Sequence, residues 1–263
     1  MKSSAVYYCK DDWILYFCLI NRRHFLFHPY SGNTLSLPKL NQNSEVAAFS
    51  DTPTSPSCVV FSVTRGGGNT VCISTCHPTD KEWKNYEFNV LPQAVQFGFK
   101  QIAYYEGTFW CLNRRGYLGI FGIEKSAWSI LPAPLAAQHP SILYTPKFIA
   151  AYEGNVYMVC SFYLKPAIYK LNIEKWHWDF AESLGELSYL ANPVNSQIRA
   201  KVLGRRREHS IHFSKVLYHG KQIVTYSMSD RRFYPSKKCY DWEDKDAFQN
   251  VWIDAPEDTS VFL

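Results

Sequence analysis

No stretch of this sequence approaches the ~20 consecutive apolar residues that a membrane-crossing helix needs; the longest early run, Trp13 to Ile20, has strand length. Met1 to Lys10 lack the basic segment, apolar segment and small-residue cleavage site of a secretory signal. No Asn-x-Ser/Thr glycosylation acceptor occurs. Also missing are a Gly-x-Ser-x-Gly elbow, a His-Glu-x-x-His pair, and the dinucleotide-binding and P-loop glycine patterns. The eight histidines are scattered without a triad-like context. The expectation is a soluble intracellular protein, cytoplasmic or nuclear, with no catalytic residues, no metal and no cofactor.

Charge is nearly balanced. A formal net charge of +5 sits on a chain with 23 acidic residues, which permits an acidic partner but gives no argument for nucleic acid. The eight cysteines (Cys9, Cys18, Cys58, Cys72, Cys76, Cys111, Cys160, Cys239) fall mostly inside apolar runs of a long chain, so reduced, buried thiols are expected rather than a disulfide framework.

What is abundant is strand material. With 46% hydrophobic and 16% aromatic residues the 263-residue chain can bury a large core. Helical periodicity is nearly absent. Short runs rich in Val, Ile, Tyr, Phe and Trp recur between clusters of Gly, Pro, Asn and Asp, the pattern of an all-β protein.

Two segments align with each other. Ala103–Leu112 carries Tyr105-Glu106-Gly107, then come Gly119–Ile123 and Trp128; Ala150–Val159 carries Tyr152-Glu153-Gly154, then come Ala167–Asn172 and Trp176-His177-Trp178. A strand reaches a turn, a second returns, a third follows and Trp closes the unit, at the roughly 45- to 50-residue period of propeller blades. Weaker copies flank the pair: Val59–Val63, Val71–Ser74 and Trp83 before it, Val216–Ser227 with Phe233-Tyr234 after it, and Val6–Cys9, Trp13–Tyr16 and Phe25–Phe27 at the start. The expected fold is one β-propeller over residues 1–263, of about six four-stranded blades, with five or seven also compatible with the length. The recurrent Trp residues are expected to wedge between blades.

Several of these elements, in this order, resemble the propeller region of plant F-box/kelch-repeat-like proteins of the KIB type. They are Asp11-Asp12-Trp13-Ile14-Leu15, Phe27-His28-Pro29-Tyr30-Ser31-Gly32, Leu35-Ser36-Leu37-Pro38, Cys58–Phe61, Tyr105–Leu112, Gly116–Phe121, Ser183-Leu184-Gly185 and Trp252-Ile253-Asp254-Ala255-Pro256. The chain departs from that pattern in having His28 where Asn precedes Pro and Asp12 where the first acidic turn has Gly. The F-box helices that precede the propeller in such proteins are absent from these residues, which begin almost directly in the first strand. The resemblance implies a protein-interaction propeller that holds a client for an SCF-type ubiquitin ligase, reaching a Skp-type adaptor only if an F-box lies upstream. A stand-alone scaffold or competitor without ligase recruitment is the alternative. A propeller enzyme and a carbohydrate-binding propeller remain as other classes.

Local chemistry adds little. Cys72-x-x-x-Cys76-His77 has zinc-type ligands but no second pair at suitable spacing. Arg65-Gly66-Gly67-Gly68-Asn69 lacks the Gly-Lys-Ser/Thr ending of a phosphate loop and reads as a hairpin. Loops on a rigid scaffold are where binding residues concentrate. The two charge-dense loops, Arg205-Arg206-Arg207 and the stretch containing Trp242, Glu243 and Asp244, are therefore the expected partner-binding sites.

Overall fold

The structure is a computed structural model that describes residues 4–90, 92, 98–131, 145–161, 165–200, 209–217, 222–234 and 251–253. Among them are twenty-one strands in five sheets. The first sheet holds β1 (Ser4–Lys10), β2 (Trp13–Cys18), β3 (Arg23–Phe27) and β4 (Thr34–Ser36). The second holds β5 (Val46–Phe49), β6 (Val60–Arg65), β7 (Thr70–Cys76) and β8 (Lys84–Asn89). The third holds β9 (Phe99–Tyr105), β10 (Thr108–Asn113), β11 (Leu118–Gly122) and β12 (Ala127–Ile130), and the fourth β13 (Lys147–Tyr152), β14 (Asn155–Ser161), β15 (Pro166–Asn172) and β16 (His177–Phe180). In all four, sequence neighbours are sheet neighbours, the up-and-down order of a propeller blade. Both segments of the internal repeat are complete sheets.

The fifth sheet differs. It contains β17 (Leu187–Ala191), β18 (Gln197–Ala200), β19 (Ser210–Leu217), β20 (Gln222–Ser227) and β21 (Arg232–Tyr234), in the order β18-β17-β19-β20-β21 with β17 and β19 parallel. The five strands β17 to β21 thus belong to one sheet, so the described residues form five blades, the lower end of the expected range.

The chain forms two compact units, Met1–Phe99 with Ile253–Leu263, and Lys100–Trp252. In the first unit the buried residues include Leu15, Leu26, Phe49, Phe61, Val71 and Ile73, and Trp83 donates its indole N–H to the Pro38 carbonyl at 2.9 Å, tying the second sheet to the end of the first. His24 is fully buried there, ringed by Tyr7, Phe17 and Trp83, with Nε2 3.3 Å from the Ser44 hydroxyl.

In the second unit the alternation of side chains along each strand buries both faces of the fourth sheet. Ile149, Met158, Cys160, Tyr169, Leu171 and Trp178 pack with Trp110, Leu112 and Leu118 of the third sheet. The intervening positions Phe148, Ala150, Val159 and Ile168 pack with Tyr189, Ile211, Phe213 and Val224 of the fifth. Period-two alternation with apolar residues on both faces is what stacked sheets require. Polar side chains tie the strands further. The amide of buried Gln101 on β9 accepts from the Ile149 N–H at 2.8 Å and donates to the Asn192 carbonyl at 3.3 Å, while Tyr189 donates its hydroxyl to the Phe148 carbonyl at 2.7 Å.

Trp178 packs between the third and fourth sheets as expected of a blade-closing Trp, and Trp128 takes the equivalent place on its own sheet, over Gly119. Trp128 lies opposite Phe121 and Trp178 opposite Leu171, each on the last strand of its blade. A Cβ on Gly119 would lie 2.1 Å from the Trp128 ring, so this glycine is dictated by the indole that covers it.

Gly119→Ala should cost roughly 1–3 kcal/mol by overpacking. Gly154→Ala, where a Cβ meets nothing but φ is +74°, should cost about 1 kcal/mol from backbone strain alone. Urea denaturation of the two variants checks the order. Burial lowers the His24 pKa from 6.5 to about 4, so folding favours its neutral form. That preference is fully present above pH 6.5 and is lost as pH falls towards 4, by about 3 kcal/mol in all. Stability of His24→Leu relative to the parent, followed by urea denaturation, should therefore rise as pH falls through that window.

Candidate interaction surface

Strand-connecting turns of two kinds recur from blade to blade. The first is a two-residue turn with both residues at positive φ: Asp11 (47°) and Asp12 (63°), Glu106 (39°) and Gly107 (75°), Glu153 (44°) and Gly154 (74°). This is the mirror-image turn whose twist matches that of a hairpin, and it favours Gly at its second position. The second kind is a four-residue loop whose last residue alone is left-handed: Arg22 (55°) before β3, Ser126 (47°) before β12, Trp176 (50°) before β16 and Arg231 (54°) before β21. Ile123-Glu124-Lys125-Ser126 and Ile173-Glu174-Lys175-Trp176 are the same loop in consecutive blades, with Ser exchanged for Trp.

In the second unit these turns gather at one end of the third and fourth sheets. The Ile123 N–H donates to the Gly107 carbonyl at 2.8 Å, joining both turns of the third sheet. The Tyr105 hydroxyl, hydrogen-bonded to the Glu106 carboxylate and held above its usual pKa by it, also meets the backbone of Gly154 and the charge of Glu153 on the fourth. Tyr152 repeats the arrangement with Glu153, and Arg199 of β18 acts on it in the opposite direction. The meander places loop 173–176 at the same end as Glu153-Gly154. Asn172 organises that loop: its Oδ1 accepts from the Lys175 N–H at 3.0 Å, and its Nδ2 donates to Asp179 at 3.2 Å, whose other oxygen is 3.1 Å from His177 Nδ1. These two partners hold the Asp179 carboxyl below the usual carboxylate range, Asn172 first.

The result is an end surface bearing exposed Glu106, Glu124, Glu153 and Glu174, with Ile173 43% and Trp176 40% exposed among them. Trp176 is the outlier. A bulky residue at positive φ is strained, by roughly 1–2 kcal/mol. In sequence Trp176 groups with the blade-closing Trp residues; the register instead makes Trp178 the closing residue and Trp176 an exposed turn residue. The signal was present in the aligned Ile-Glu-Lys triplets, which equate Trp176 with Ser126.

The other sequence candidates divide. Arg205, Arg206, Arg207, Trp242, Glu243 and Asp244 lie outside the described residues, as does Cys239. Arg199, beside the first group in sequence, donates to Gln197 at 2.9 Å. Gly66, Gly67 and Gly68 form the β6–β7 hairpin connection. Cys76 is buried and its thiol pushed well up by desolvation, while the His77 N–H is taken by Asp80 Oδ2 at 2.9 Å. Lys147, buried on β13, donates to the Arg114 and Thr145 carbonyls at 2.7 and 3.1 Å, and burial lowers its pKa. Its cross-strand neighbour Cys160 is fully buried and pushed up to about 12, which leaves it a packing residue rather than a nucleophile.

Up-and-down four-stranded sheets that recur along the chain define an all-β propeller. The family model for the KIB1-4 beta-propeller matches residues 1–234, and the chain belongs to that family. It is similar to the F-box/kelch-repeat protein At1g57790 of Arabidopsis thaliana, at 27% identity over 96% of this chain and 72% of the relative. It is also similar to the F-box protein At3g56470 of the same plant, at 28% identity over 95% of this chain and 67% of the relative. Among solved structures, a luciferin-regenerating enzyme overlaps 86% of this chain and 72% of its own at 9% identity and a TM-score of 0.42, which bears on no activity here.

Trp176→Gly should leave the fold as stable as the parent or up to about 1 kcal/mol more stable, because the left-handed strain is relieved at an exposed position. Thermal or urea unfolding checks this; a large loss would show the ring to be a packing element.

Proposed function

We propose that this chain is the client-binding propeller of an F-box-type ubiquitin-ligase receptor, acting in the cytoplasm or nucleus, with residues 1–263 forming one propeller domain. The observation that carries the reading is membership of the propeller family together with two plant relatives, named F-box proteins, that align over nearly the whole chain. The rigid blades present side chains on short turns, a geometry suited to holding another protein. The adaptor of the ligase would dock on an F-box in the same gene product, so client capture and ubiquitination are separable activities. The reading includes no catalytic step and no cofactor.

Affinity capture from plant extract with the purified 263-residue chain, followed by binding of the recovered client as a purified protein, tests it. A client that binds directly is expected, and its ubiquitination should require a gene product that also recruits a Skp-type adaptor. A client that is never ubiquitinated in that reconstitution would leave a stand-alone binding propeller; no direct client, or about one copper or zinc per chain by elemental analysis, would overturn the reading.

A further inference from the structure

Trp176 stands out within the second unit because its backbone conformation favours Gly or Asn, its counterpart in the preceding blade is Ser126, and it is 40% exposed where Trp178 is buried. Around it the turn end of the third and fourth sheets carries Glu106, Glu124, Glu153 and Glu174, with Asp179 two residues beyond the neighbouring His177, against Lys125, Lys175 and Arg199. A chain of net charge +5 thus has a locally acidic end with an indole displayed in it. An exposed Trp face attracts a cation, and the planar guanidinium of arginine stacks on it while its N–H groups pair with carboxylates. The same sheet already uses this contact internally, with Lys170 Nζ 6.0 Å from the Tyr157 ring centroid.

We propose that the turn end of the third and fourth blades is a docking surface for an arginine-bearing extended segment of the client, with Trp176 as the stacking platform, Glu153 and Glu174 as guanidinium partners and Ile173 as the apolar contact beside them. The inference rests on the receptor reading and specifies which face holds the client and what chemistry it selects. Lysine, a point charge without a planar face, is the poorer ligand. The mixed Glu-Lys sequence of the loop disfavours an acidic segment, which would meet four exposed glutamates.

A fluorescent peptide of alternating arginine and serine, with lysine-for-arginine and glutamate-for-arginine counterparts, serves as the probe. Anisotropy titration should show the arginine peptide binding, the lysine peptide several-fold weaker and the glutamate peptide not at all, with affinity falling as salt rises. Trp176→Gly should weaken the arginine peptide about tenfold, and Glu153→Gln with Glu174→Gln should reduce the salt dependence; circular dichroism confirms that each variant is folded. The proposal is overturned by an absence of binding, by equal binding of the glutamate peptide, by unchanged affinity in Trp176→Gly, or by a dimer of this chain that Trp176→Gly dissolves. A client captured equally by the parent and by Trp176→Gly would place the client elsewhere and sink this surface while leaving the receptor reading intact.

Discussion

The structure depends on apolar burial on both faces of the same sheet. A strand sends alternate side chains to opposite faces, and a lone four-stranded sheet with apolar residues on each would be insoluble. In the fourth sheet Ile149, Met158 and Leu171 face one neighbour, and Phe148, Val159 and Ile168 face the other. The fourth sheet therefore needs a sheet on each side, and its last strand is the four-residue β16, whose exposed His177 and Asp179 discourage pairing with another chain. Hydrogen bonds then fix the spacing. Gln101 and Tyr189 reach backbone groups of other strands from buried positions, where an unmet partner costs more than the bond itself contributes.

With the sheets fixed in this way, the turns carry what distinguishes one blade from another. The two-residue turns ask for Gly at their second position, and Gly107 and Gly154 supply it, while Asp12 occupies the same conformation in the first sheet as one of the side chains that tolerate it best. The four-residue loops ask less, since one left-handed residue suffices, and that place is taken by Arg22, Ser126, Trp176 and Arg231. Variation is therefore concentrated at a position where Arg22, Trp176 and Arg231 are exposed and Ser126 partly so.

The legible part of the fold was the part written locally. The Tyr-Glu-Gly turns and the 50-residue interval from Trp128 to Trp178 lie in the sequence as repeats, and they mark the third and fourth sheets, although β9 and β13 begin at Phe99 and Lys147, ahead of the aligned segments. The family resemblance carried by Tyr105–Leu112 and Gly116–Phe121 rests on those same elements. The fifth sheet was harder because its defining contact, the parallel pairing of β17 with β19, joins segments separated by the β18 hairpin, and no local residue pattern announces it. Counting blades by length consequently centred on six where the described residues form five. Charge density singled out the arginine run at 205–207 and the acidic stretch near Trp242, whereas the surface at loop 173–176 was concealed by composition: Trp176-His177-Trp178 reads as core until the register and burial show that only Trp178 is buried.

The contrast between Trp176 and Trp178 bears on how such a propeller acquires a binding face. Trp178 is held by the same alternation as every other core residue, and a smaller side chain there would leave a cavity that costs several kcal/mol. Trp176 contributes nothing comparable to the core and sits in a conformation that opposes it. Strain retained at an exposed residue is offset elsewhere in the molecule, here by two buried faces of a sheet and the network around Asn172 that holds the loop in shape. Packing stability in the blades is thus what permits an unfavourable side chain at a turn whose backbone the Asn172 contacts hold. Preorganisation of that kind lowers the entropy lost on association, so a rigid turn with one costly aromatic residue is a better anchor than a flexible loop with several.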